Sequence, residues 1–147
     1  MPREVNKVII HCTDSPTGRY VDVATIDKWH EARGFKPSTN GHACGYHYLI
    51  LVDGTIQMGR MESDVGAHCK GQNHDSIGVC LVGRGEYNED QIIALHFILH
   101  QICSGYGLEA KQVFGHYEFD QNGKTCPNMN MDKFRDELEI TLTARSK

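Results

Sequence analysis

Two histidines, a lysine and a cysteine carry the chemistry that stands out in this chain of 147 residues. His11 lies in "VIIHCTDS", and His116, Lys124 and Cys126 fall within "FGHYEFDQNGKTCPNMN", Phe114 to Asn130. Gly123 and Pro127 keep the second stretch irregular. Lys124 and Cys126 are two positions apart, so in extended chain their side chains point the same way. An ammonium beside a thiol favours thiolate. A thiolate there has two chemical uses, attack on a carbonyl or metal ligation; an inert buried cysteine is the third possibility.

His11 closes a strand-like run near the start, His116 closes another near the end, and Cys126 follows after nine intervening residues. Strand ends along one edge of an α/β sheet are where sites are usually built. Two imidazoles and a thiolate suit Zn²⁺, with a fourth position left for water. This spacing is not a compact motif, so the three need not meet. The rival reading makes Cys126 a nucleophile with His116 as its base and Lys124 lowering the thiol pKa. Residue chemistry alone leaves both open. Other familiar sites are absent: the chain has no HExxH helix, no GxSxG elbow and no phosphate loop, and "GRGEYN" lacks a third glycine.

The elements that must position these residues are legible from patterning. "VNKVIIHCTDS" predicts a buried strand. "DVATIDKWHEARG" predicts a short amphipathic helix capped by Asp22 and ended by Gly34, with Val23, Ile26, Trp29 and His30 as its apolar stripe. "YHYLILVDGTIQMGR" predicts a hairpin turning at Asp53-Gly54. "MESDVGAHCKGQNHDS" predicts a long irregular loop, of the kind often tied to function. "IGVCLVG" predicts another buried strand. "NEDQIIALHFILHQICSGYG" predicts the main helix, with Asn88 and Gln91 as a capping box and Ile92, Leu95, Leu99 and Ile102 at helical spacing. "KQVFGH" predicts a short strand and "MDKFRDELEITL" a C-terminal helix. Strands alternating with helices predict a single α/β domain, residues 1–147, with a central mixed sheet flanked by helices.

Composition bounds the class. Apolar residues make up 39% and charged ones 23%, as in a soluble globular domain. A net charge of −4 gives no electrostatic case for nucleic acid or an anionic membrane. No apolar run is long enough to span a bilayer, and "MPREVNKVIIHCTDS" lacks the features of a signal peptide, so a cytoplasmic protein is expected. Six cysteines without a secretory signal predict free thiols or metal ligation. Cys80 reads as core packing, and Cys44 and Cys69 as two free thiols. His47, on the opposite face from Tyr46, reads as structural, and Trp29 and His30 as helix packing.

The segments "VIIHCTDS", "IDKWHEARGF", "GYHYLILVDGTI", "VGAHCKGQNHDSIGVCLVG" and "FGHYEFDQNGKTCP" occur in one order over most of the chain, from about Val8 to Phe134. In that order the chain resembles the type-2 N-acetylmuramoyl-L-alanine amidases, most of all the small bacteriophage lysozyme amidases; the peptidoglycan recognition proteins are similar in fold. The resemblance implies roles. His11, His116 and Cys126 match the zinc ligands, with cysteine where many relatives carry aspartate. Tyr46 and Lys124 match the catalytic tyrosine and lysine. His68, in a loop bordering the substrate groove, is the implied substrate-binding residue, with Asn73 and Ser76 as companions. "HACG" and "FDQNG" make two loops longer than in the small phage type, which bears on loop shape and not on the ligands.

The expected function is therefore zinc-dependent hydrolysis of the bond between N-acetylmuramic acid and L-alanine in peptidoglycan. A phage or prophage endolysin fits: a monomer holding one Zn²⁺, kept in the cytoplasm until lysis, with no membrane insertion. Two alternatives stand beside it. One is a non-catalytic peptidoglycan-binding module, which loss of a zinc ligand would mark. The other is the Cys126 hydrolase.

Overall fold

The computed structural model describes residues 3–120 and 122–145. The outermost residues of the expected 1–147 domain, and Gln121 of the "FDQNG" loop, lie outside them. Five strands form one sheet: β1 (Lys7–Cys12), β2 (Tyr48–Ile50), β3 (Ile56–Met58), β4 (Ser76–Leu81) and β5 (Val113–Gly115). Their order is β3-β2-β4-β1-β5, antiparallel between β2 and β3 and parallel elsewhere. This is the expected mixed sheet.

Side-chain alternation assigns the two faces. Ile77, Val79 and Leu81 of β4, with Val8 and Ile10 of β1, pack beneath α2 (Glu89–Tyr106) and α3 (Met131–Arg145). Cys80 of β4 and Leu49 of β2 face the other way, onto α1 (Val23–Ala32). Cys80 is thus a core residue, as its mid-strand position suggests.

Local signals place the helix starts. Asp22 Oδ1 accepts from Thr25 N at 2.9 Å and Thr25 Oγ1 at 2.8 Å, capping α1. Asn88 and Gln91 form the expected reciprocal box at α2: Gln91 N donates to Asn88 Oδ1 at 2.9 Å and Asn88 N to Gln91 Oε1 at 3.2 Å. The hairpin turns at Gly54, whose φ of 86° suits glycine. One expectation needs correction. The buried stripe of α1 is Val23, Ile26 and His30, while Trp29 is 38% exposed. Residues 29 and 30 both lie near residue 26 on a helix, and the docking angle of α1 decides which one is covered.

Two histidines are structural and electrically silent. His47 Nδ1 accepts from Gly78 N at 3.0 Å, and its Nε2 meets the Asp64 carbonyl at 2.9 Å. His30 Nδ1 accepts from Gly45 N at 2.8 Å. Burial pushes both imidazoles down to about 4, below the ordinary 6.5. Between those values the unfolded chain takes up protons that the folded chain refuses. Stability should therefore fall as pH drops from about 6.5 to about 4, each histidine adding a slope of up to about 1.4 kcal/mol per pH unit. Urea unfolding of the metal-free protein across this window tests the expectation; a flat midpoint would contradict it.

Candidate metal centre and active site

The carboxyl edge of the sheet gathers the site. β1 lies between β4 and β5, and Ile10 pairs with Gly115, so His11, the next residue of β1, comes beside His116, which opens the 3-10 turn directly after β5. Their ring centroids are 4.5 Å apart. The loop after β5 returns to the end of β1. There Tyr117 N donates to the Cys126 carbonyl at 2.9 Å, and Cys12 N donates to Cys126 Sγ at 2.8 Å. Gly115 permits this return, since a Cβ there would come within 3.0 Å of Met131 and Pro127.

The donor atoms of His11, His116 and Cys126 all lie within 4.8 Å of one another, the one such group among the described residues. Two imidazole nitrogens and a thiolate sulfur are donors that suit zinc, and these three residues would hold it. Charge prepares them. Burial, then the neighbouring His68, His116 and Lys124, holds His11 well below its ordinary range. Burial and Lys124 lower His116 as well. Both imidazoles are therefore neutral, the form that ligates. The contact between the two thiols lowers Cys12 and, with burial, raises Cys126. A bound cation, with the Cys12 N–H donating to Cys126 Sγ at 2.8 Å, would shift the anion onto Cys126.

These residues line a cleft of about 770 Å³. Tyr46 stands on its wall, ring tilted against His11 at 5.2 Å and His30 at 5.4 Å. Burial and adjacent thiols push its phenol well above 10, so it keeps its proton. Lys124 is exposed on the rim, and its charge reaches both histidines. Its backbone N donates to Asp120 Oδ2 at 2.7 Å, tying down the loop.

The family model for N-acetylmuramoyl-L-alanine amidase matches residues 1–129. The chain belongs to the N-acetylmuramoyl-L-alanine amidase family. It is 32% identical to the endolysin of Escherichia phage T7 over 146 residues, covering 94% of this chain and 90% of the relative. The endolysin of Enterobacteria phage T3 is also 32% identical, over 98% and 95%. Among solved structures, the amidase LysC from Clostridium intestinale superposes with a TM-score of 0.78 at 25% identity, over 96% of this chain and 87% of that one. Drosophila PGRP-LB shares the fold, with a TM-score of 0.69 at 23% identity over 85% and 75%.

The amidase fold also shows what patterning missed. His30 and Arg33 of the α1 end, with Phe35, line the cleft. Arg33 sits over the Phe35 ring at 5.0 Å, and no motif flagged it. Of the three residues expected to bind substrate, two line the cleft while also holding hydrogen bonds within the protein, and one lies beneath it. His68 lines the cleft but meets His11 Nε2 through Nδ1 at 2.8 Å and Ser76 Oγ through Nε2 at 3.2 Å. Asn73 also lines it, yet its Oδ1 accepts from the His68 and Cys69 backbones, both at 2.9 Å. Ser76 is fully buried beneath His68 and donates to the Gln72 carbonyl at 2.7 Å, which leaves it no face toward the cleft. Cys44 and Cys69 are both buried and free. No helix among the described residues is long and apolar enough to cross a membrane.

Proposed function

We propose that this family member is a zinc-dependent amidase that cleaves the bond between N-acetylmuramic acid and L-alanine in bacterial peptidoglycan. We further propose that it works as a phage or prophage endolysin, a monomer that reaches the wall at lysis. The observation that carries the reading is the His11, His116 and Cys126 cluster on the floor of a cleft that also presents Tyr46 and Lys124. The matched family and the phage endolysins among its relatives support the substrate class. His11, His116 and Cys126 would hold the ion. When bound, zinc supplies Lewis-acid polarisation of a carbonyl and a water of lowered pKa. The Lys124 ammonium holds the negative charge that develops on the scissile carbonyl oxygen. Tyr46, protonated across the working pH range, donates a hydrogen bond to the same oxygen and is no base in the resting site.

Elemental analysis should find about one zinc per chain. A chelator should abolish wall clearing, and added Zn²⁺ should restore it. The Cys126-nucleophile alternative makes the opposite forecast: activity outlasts metal removal, and mass spectrometry of enzyme quenched during turnover finds an acyl adduct on Cys126. That pair of results would replace the zinc reading. A protein that binds wall fragments but never cleaves them, with metal loaded, would support the binding-module alternative.

A further inference from the structure

The contacts around His68 form a one-way chain of donors. A carbonyl oxygen only accepts, so at 2.7 Å from the Gln72 carbonyl the Ser76 hydroxyl must spend its single proton there. Ser76 Oγ then faces His68 Nε2, at 3.2 Å, only as an acceptor, and Nε2 carries the hydrogen. A neutral imidazole has one N–H, which leaves His68 Nδ1 bare. His11 Nε2, 2.8 Å away, must therefore be the donor between the two rings. The nitrogen left bare on His11 is Nδ1.

A built slot holds the middle of this chain. The His68 ring passes between two glycines: a Cβ on Gly66 would lie 2.5 Å from Cδ2, and one on Gly78 2.7 Å from the ring. Asn73 pins the backbone of His68 and Cys69 from behind. Neither glycine has a backbone that demands glycine, since φ is not positive at either. Room for the ring is what each supplies.

We propose that His68 is a positioning residue: through Ser76 and His68 the Gln72 carbonyl sets the tautomer of His11 and aims its bare Nδ1 at the ion. This rests on the zinc reading above and assigns His68 and Ser76 a task other than substrate contact. Groups behind a ligating histidine commonly fix its tautomer and orientation, and losing one costs about 10–100-fold in metal affinity.

Long-range ¹⁵N NMR of the metal-free wild type should show the Nε2–H tautomer at both His11 and His68; Nδ1–H at His11 would overturn the proposal. Zinc affinity, measured by competition with a chromophoric chelator, should fall about 10–100-fold in His68→Ala. His68→Asn should regain most of it, because the amide oxygen restores an acceptor near the Nδ1 position. Unchanged affinity in His68→Ala with only KM raised would make His68 a substrate contact and end the proposal. If His68→Ala does not fold, Ser76→Ala takes its place: it should weaken zinc binding and mix the His68 tautomers, and unchanged values of both would overturn the idea. A wild type that takes up no zinc refutes the metal reading, whereas the tautomer measurement on metal-free protein still decides the relay.

Discussion

Replacing Cys126 by serine should remove zinc and wall-clearing activity together while leaving the fold standing. A serine hydroxyl does not ionise near neutrality, so the set loses its only anionic donor and keeps two neutral imidazoles. Cys126 is half-buried on a loop, outside both apolar clusters, so melting in the metal-free state should shift little. Activity should fall to background, because a site without its ion lacks both polarisation and an activated water. Cys126→Asp gives a second arm: a carboxylate is an anionic zinc ligand, with bonds of about 2.0–2.2 Å, and should regain part of the metal and part of the rate. Full zinc occupancy in Cys126→Ser would remove Cys126 from the ligand set. Activity lost with zinc still bound would turn attention to the thiol as nucleophile.

Lys124→Ala should do the reverse and keep the metal while losing the rate. Lys124 is exposed on the cleft rim, and no ligand hydrogen bond depends on its side chain. Its ammonium lowers the proton affinity of His11 and His116. Removing it raises that affinity somewhat, but it also removes a charge that repels a cation, so zinc occupancy at neutral pH should hold. The loss should fall on kcat, by about 10²–10³, or about 2.7–4 kcal/mol, the scale of one oxyanion donor. Steady-state kinetics on soluble wall fragments with zinc measured in parallel would decide it. Wild-type kcat in Lys124→Ala would remove the lysine from catalysis, and loss of zinc would recast it as support for the ligands.

Cys126→Ser and Lys124→Ala probe residues whose types were visible in the sequence. The local devices of the fold were equally visible. Asp22 caps α1, Asn88 and Gln91 box α2, and Asp53-Gly54 turns the hairpin, since each signal acts within a few residues. The alternation in "IGVCLVG" separated Cys80 from its neighbours because a strand has period two. His11, His116 and Cys126 stand out by residue type and by their places near strand ends, but their spacing leaves metal and nucleophile readings open; their order among the matching segments is what favours the metal.

What the chain could not declare is what lies across from each residue. The pairing of Ile10 with Gly115 makes His11 and His116 neighbours, although 104 residues separate them, and register is a property of the whole sheet. The same limit explains why Trp29 falls outside the buried stripe of α1 while His30 stays in it, and the presence of Arg33 and Phe35 in the cleft. It explains Ser76 most directly. A serine at the head of a strand looks like a polar group free to meet a ligand. Only packing shows that the His68 ring, seated between Gly66 and Gly78, closes over it and converts its hydroxyl into a link between the Gln72 carbonyl and the site. Sequence determined the donors, caps and turns because those act locally; tertiary structure decided which donors face one another, because hydrogen bonds between residues far apart exist only once the sheet and its loops have closed.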